Sequence, residues 1–151
     1  MSRLPLRDTK ALVLDTSSLA EATVTVGTRS IRIFGVHPNA PAFDFDRWQH
    51  YAGDTTHLVR RVHGAVIVAG DFNVTQFNKW IGDLEGLGLR SAHEELGHGT
   101  DTTWPNGLRP FPPIRLDHVP VSNAVVPLQI REGAGDGSDH KPVIVDLAVK
   151  R

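Results

Sequence analysis

No cysteine occurs in the chain, which excludes disulfide bridges, thiolate metal sites and a cysteine nucleophile, and leaves the redox compartment open. A surplus of charge of either sign is missing too: 16 Lys+Arg stand against 17 Asp+Glu, a formal net charge of −1. Strong binders of long polyanions usually carry a basic surplus, so nothing at whole-chain level advertises such a partner. Lysine is scarce beside arginine; arginine's planar fork suits bidentate phosphate contacts, but genomic composition accounts for the bias more simply. No stretch approaches the ~18 apolar residues that span a bilayer, and MSRLPLRDTK lacks the apolar core of an export signal. The chain as given is expected to be soluble and cytoplasmic, a reading that leaves room for an upstream membrane segment in a longer gene product.

What remains is 151 residues of which 40% are hydrophobic, enough for one domain with its own core, residues 1–151, and too little for two. Repeats and low-complexity tracts are absent, and Gly and Pro punctuate short apolar runs as turns would. Ala11–Leu14, Ala22–Val26 and Ser30–Val36 are short runs rich in β-branched residues, and Val24/Val26 and Ile31/Ile33 alternate like half-buried strands, with Gly27 at the turn between the last two. From Asp44 to Val62 the apolar positions Trp48, Tyr51, Ala52, Leu58, Val59 and Val62 fall at helical spacing, and Gly64 ends the pattern. Ala65–Ala69 is continuously apolar and stops at Gly70, the signature of a central strand buried on both faces.

Thr75 is placed to cap a short helix carrying Phe77, Trp80, Ile81 and Leu84 on one face, with Gly86 and Gly88 ending it. Strands are predicted at Leu116–Val121, Ala124–Ile130 and Val143–Val149, with a polar, Gly-rich loop at Glu132–Gly137. The fold class is α+β, helices outside mainly antiparallel sheet.

Polar residues with chemical capability sit where these apolar runs stop: His37, then Asp71 and Asn73, then Asp117 and His118, then Asp139 and His140. Singly, each has an ordinary explanation, since Asp and Asn favour turns and His is often a satisfied structural residue. Collected at neighbouring strand ends, carboxylates, a carboxamide and imidazoles fit a hydrolytic metal site better than punctuation. Their oxygens suit Mg²⁺, a hard cation that keeps several waters and is held by a few protein oxygens plus substrate phosphate.

Gly70-Asp71-Phe72-Asn73, Leu116-Asp117-His118-Val119 and Ser138-Asp139-His140-Lys141-Pro142-Val143, in that order, resemble three signatures of the endonuclease/exonuclease/phosphatase superfamily, the deoxyribonuclease I-like enzymes. Val36-His37-Pro38 is similar to that family's strand-end histidine, and Thr103-Trp104-Pro105 to a bacterial branch of it. The resemblance implies part of a four-layer α/β/β/α sandwich with mixed, mainly antiparallel sheets and outer helices. It implies Mg²⁺-dependent hydrolysis of phosphate esters, with Mn²⁺ as a substitute and nucleic acid among the candidate substrates.

By the same resemblance, Asp71 would position or activate the attacking water and bind metal, and Asn73 would orient a phosphate oxygen or that water, in contact with the metal. Asp117 would fix the tautomer of His140, a general base or electrostatic stabiliser; Asp139 would ligate metal directly or through water; and His37 would hydrogen-bond the phosphoryl group. His118 has no catalytic counterpart and is read as structural or supporting. His50, His57 and His63 on the helical segment, and His93 and His98 in loops, receive no role.

The family also places a metal-ligating Glu, and an Asn before it, on early strands. None of Glu21, Glu85, Glu94, Glu95 and Glu132 occupies such a position, while Met1–Leu6 resembles a mid-domain segment. The expectation is therefore a C-terminal half lacking its N-terminal strands, whose exposed sheet a homo-oligomer or another chain would cover. Two alternatives to the enzyme stay open: a catalytically inactive remnant serving as a phosphate-binding or assembly module, and a zinc hydrolase built from the eight histidines, weakened by the lack of any HExxH-like spacing.

Overall fold

A computed structural model describes residues 2–14, 17–107 and 110–150, so Met1 lies outside the described residues. The order is β1 (Leu6–Leu14), β2 (Ser17–Val26), β3 (Arg29–Val36), α1 (Phe45–Arg60), β4 (Ala65–Asp71), α2 (Lys79–Gly86), β5 (Leu89–Ser91), α3 (Ala92–Glu95), β6 (Asp117–His118), β7 (Pro120–Ser122), β8 (Val125–Glu132) and β9 (Val143–Val149). Seven strands form one mixed sheet, β1-β2-β3-β4-β7-β5, with β6 also paired to β4; β8 and β9 form a second, two-stranded sheet. Among the described residues only β3 and β4 run parallel, because α1 carries the chain back between them as a crossover. The class is α+β, as expected.

Two clusters fill the interior, one on each face of the large sheet. On one, α1 and α2 lay Trp48, Tyr51, Val59, Trp80 and Leu84 over Phe34, Val66, Val68 and Phe72. On the other, β8 and β9 bring Val125, Ile130, Val145 and Leu147 against Ile31, Ile67 and Val121. Helices, large sheet and small sheet stack as three layers, consistent with part of a four-layer sandwich. The small sheet does not reach the whole face: toward β1, Leu6, Ala11 and Ala20 are exposed and Ile33 half-buried, and Val13 is 73% exposed.

Several boundaries differ from the sequence pattern. β1 and β2 begin at Leu6 and Ser17, not Ala11 and Ala22; β1 is an edge strand with a register shift between Arg7 and Lys10, so its polar residues face solvent without needing apolar alternation. Asn78, not Thr75, caps α2, its side chain accepting from the Trp80 N–H at 2.9 Å. Thr75 belongs to the turn before it, its carbonyl accepting from the Asn78 N–H, and Phe77 is 88% exposed rather than buried on the helix face. The single strand expected over Leu116–Val121 divides into β6 and β7: Pro120 has no N–H to donate, and the Val119 carbonyl accepts from Ala92 instead. β5 and α3 escaped the sequence pattern by being three and four residues long.

Candidate active site

The sheet delivers the polar residues to one end. β3 ends at Val36, and His37 follows with its backbone N–H donated to the Tyr51 hydroxyl at 3.2 Å. That hydroxyl lies 3.1 Å from the Ser18 carbonyl, to which it donates, so α1 pins the end of β3. β4 ends on Asp71. Gly70, with φ +145°, sits opposite Val36, where a Cβ would come within 2.0 Å of the Val36 carbonyl oxygen; no side chain fits there. Trp48 of α1 donates its indole N–H to the Phe72 carbonyl at 3.1 Å and fastens the turn after β4.

In that turn Asp71 Oδ1 accepts the Asn73 backbone N–H at 2.7 Å. Asn73 takes a positive φ of 54°, which asparagine tolerates better than most residues, and its Nδ2 donates to the Pro38 carbonyl at 2.9 Å. The antiparallel pairing of β6 with β4 sets Asp117 directly opposite Asp71, so strand register places two carboxylates side by side. Asp117 Oδ2 accepts from His140 Nδ1 at 2.8 Å. His140 Nε2 then lies 3.8 Å from Asp71 Oδ2, and His37 Nε2, on a ring 75% exposed, lies 3.7 Å from the same oxygen.

Asp71, Asp117 and His140 each offer an atom within 4.8 Å of the others, a grouping able to hold a metal ion. Asp139 stands outside that tight group: its Oδ2 is 3.4 Å from the Trp104 indole nitrogen. It nonetheless lines, with His37, Asp71, Asn73 and His140, an open cavity of about 640 Å³. The six residues to which the resemblance gives a role thus meet at one end of the sheet.

Electrostatics follow from this crowding. Burial raises the Asp71 carboxyl above its ordinary value; the Asn73 N–H opposes that, the Asp117 charge adds to it, and the two imidazoles counter it. For His140, burial disfavours the charged ring, but the Asp117 hydrogen bond and charge, then Asp71 and Asp139, outweigh it and hold the pKa above the usual imidazole value. Two acids drawn together at a partly buried cleft favour a cation between them. The available donors are carboxylate and carboxamide oxygens, which fit a hard divalent ion.

The other histidines sit elsewhere. His118 is buried, its Nε2 2.8 Å from the Val74 carbonyl and its ring edge-on to Phe72, a structural residue whose pKa burial lowers to about 4. His93 lies on α3 rather than in a loop; it is buried with Nε2 3.1 Å from Glu132 Oε1, and burial lowers it to about 4 as well. His98 is in a loop as expected and pairs with Asp101 at 2.6 Å. Glu21 is bonded to Arg32 on the helix-covered side of the sheet, and neither it nor Glu132 joins the Asp71 group among the described residues.

Thr103 and Asn106 were missed as site residues. Thr103 Oγ1 accepts the backbone N–H groups of Leu116 and Asp117 at 3.0 and 3.1 Å, and Asn106 Nδ2 lies within 3.0 Å of the Ala134, Gly135 and Ser138 carbonyls. The Thr103-Trp104-Pro105 motif marked the place, but nothing in one sequence says which backbone groups a side chain will meet.

The Endonuclease/Exonuclease/phosphatase family model matches residues 1–140. No curated protein matches the sequence. Among solved structures, D. rerio TDP2 in complex with a single-strand DNA product superposes with a TM-score of 0.79 at 18% identity, over 97% of this chain and 69% of that one. An endonuclease/exonuclease/phosphatase from Beutenbergia cavernae gives 0.78 at 19% identity, over 99% and 47%. The human Nocturnin catalytic domain with bound sulfate gives 0.75 at 18%, over 98% and 61%. The chain therefore spans between about half and two thirds of the length of these structures, and the likeness establishes the deoxyribonuclease I-like fold.

Proposed function

The chain belongs to the endonuclease/exonuclease/phosphatase family, and from that premise we propose that it is a single domain hydrolysing phosphate esters, monoesters or diesters and nucleic acid among them, with a divalent cation, Mg²⁺ or Mn²⁺. The carrying observation is the Asp117–His140–Asp71 arrangement, with His140 Nδ1 bonded to one carboxylate at 2.8 Å and Nε2 facing the other at 3.8 Å. With Nδ1 occupied, the neutral ring presents its Nε2 lone pair to the cleft. A water between Nε2 and Asp71 is then oriented for in-line attack: its oxygen bonds to phosphorus, its proton passes to Nε2, and the ester bond to the leaving oxygen breaks. His37, exposed at the rim, donates to a phosphoryl oxygen as charge builds on it, and Asn73 orients another.

Asp71, Asn73 and Asp139 are the residues that would hold the cation. When bound, it neutralises charge on the phosphoryl group, which is worth several kcal/mol. The alternative, a phosphate-binding or assembly module without turnover, is favoured by one observation: no glutamate joins the acidic group among the described residues.

Hydrolysis of bis-(p-nitrophenyl) phosphate with millimolar Mg²⁺ or Mn²⁺ separates the two readings. Cation-dependent turnover abolished by Asp71→Ala supports the enzyme. Phosphate binding that needs His37 but gives no turnover with either cation refutes it and leaves the module.

A further inference from the structure

We infer that Thr103 is a positioning residue: through its hydroxyl and the short segment that follows, it sets Asp117 and His140 at hydrogen-bond distance. The inference rests on the reading of Asp117 as the group that orients His140. These two residues come from different sheets. Asp117 is on β6, paired to β4 of the large sheet, while His140 lies in the loop joining β8 to β9 of the small one. No ladder connects β6 to that loop, so something else must hold the 2.8 Å bond between them.

Thr103 touches both sides. Its hydroxyl oxygen accepts the N–H groups of Leu116 and Asp117, and its backbone N–H donates to Ile114 at 3.0 Å. Its carbonyl accepts the N–H of Lys141, next to His140, at 2.8 Å. Three residues on, the Asn106 N–H donates to the Asp139 carbonyl at 2.6 Å, while its carboxamide reaches the carbonyls of 134, 135 and 138. The loop is pressed tightly onto this bracket: a Cβ on Gly135 would lie 2.5 Å from the His140 carbonyl oxygen and 2.7 Å from Asn106 Nδ2.

The backbone half of the bracket would survive almost any substitution, but the bonds to Leu116 and Asp117 need the side-chain oxygen of Thr103. Thr103 is 0% exposed, so no water can replace that oxygen without the packing opening.

Thr103→Val keeps shape and removes the acceptor; Thr103→Ser keeps the acceptor. In ¹⁵N-labelled protein, Thr103→Val is expected to speed amide exchange at Leu116 and Asp117 at least about 10-fold, as loss of a buried bond worth one decade does. It should also abolish the low-field Nδ1 proton of His140, while the amides of 66–68 in β4 stay protected and Thr103→Ser restores both signals. Where turnover is measurable, kcat should fall roughly 10–100-fold with KM unchanged, the range for lost supporting hydrogen bonds.

A persisting His140 proton overturns the inference, and so does exchange that rises equally in β4, which would make Thr103 merely structural. If Thr103→Val does not fold, Asn106→Ala decides by the same proton: its loss upholds the bracket and its retention overturns it. Absence of turnover in the unmodified chain would count against the phosphoesterase reading alone, because both proton signals are read without substrate.

Discussion

Acid should unfold this protein through two histidines that have no part in the proposed chemistry. His93 and His118 are 0% and 1% exposed, and burial lowers each from 6.5 to about 4, with the Arg115 charge pushing the same way. A depressed imidazole pKa means the unfolded chain binds the proton more readily than the folded one. The contribution is therefore complete above pH 6.5 and is lost as pH falls toward 4. At 1.36 kcal/mol per pH unit, going from pH 7 to 4.5 costs about 2–3 kcal/mol for each ring, roughly 5 together. That is comparable with the whole stability of a typical domain, about 5–15 kcal/mol. His140 works in the opposite direction, its raised pKa favouring the fold as pH drops, but its partial exposure screens the effect.

Urea unfolding followed by tryptophan fluorescence measures the difference, since Trp48 and Trp80 are buried in the helix-covered core. His118→Gln keeps a donor for the Val74 carbonyl without a titrating ring and should flatten about half of the slope. A stability at pH 4.5 within about 1 kcal/mol of that at pH 7 would refute the reasoning, as would an unchanged slope in a His93→Gln/His118→Gln variant.

Gly70→Ala should cost about 2–5 kcal/mol by combining a disfavoured φ with a Cβ driven into the Val36 carbonyl; a thermal melt that leaves Tm within a degree or two of the original would contradict this. Asp117→Asn should lower cation-dependent turnover by roughly 100-fold, because the ring loses the anion that fixes its tautomer, and comparable kcat for both forms would remove Asp117 from the mechanism. The uncovered apolar face beside β1 should drive self-association; light scattering tests it, and an all-monomer solution at every concentration would show that this face needs no cover.

The convergence of His37, Asp71, Asn73 and Asp117 was legible because they lie on or just after strands, and that of Asp139 and His140 because their loop leads into the apolar run of β9. Val36, Ala69 and Leu116 each lead into a polar group, and antiparallel register alone then brings Asp71 opposite Asp117. Gly70 and Asn73 were legible as the stop of an apolar run and the close of a motif, while the positive φ that each takes, and that few other residues accept, was not. Edges of elements read poorly. Polar residues 7–10 gave no sign of pairing, yet β1 runs through them, because an edge strand is held by its backbone and asks little of its side chains. The α2 cap fell to Asn78 and not Thr75 because residues 75–78 form a separate turn, closed by the Asn78 N–H on the Thr75 carbonyl, and the helix starts only at Lys79, a choice no composition rule resolves.

The least legible part was what holds the motifs together. GDFN, the Asp117 strand and the SDH loop are each recognisable alone, but the chemistry proposed for them depends on a 2.8 Å contact between a strand of the large sheet and a loop of the small one. That contact hangs on backbone carbonyls and amides reached by Thr103 and Asn106. Such bonds are blind to the identity of the residue whose backbone takes part, so the partners leave no trace in sequence; only the side chain that reaches them does. A threonine at 0% exposure with two backbone donors on one oxygen, and an asparagine whose carboxamide reaches three carbonyls, are therefore the visible ends of an otherwise silent network. It follows that substitutions at 134 and 136 should be tolerated, whereas Gly135 and Gly137, both at positive φ, and Ser138, whose hydroxyl accepts the His140 N–H, should not change freely, and neither should the Thr103 hydroxyl. The pairing of Asp117 with His140 would then depend on a residue that touches neither side chain.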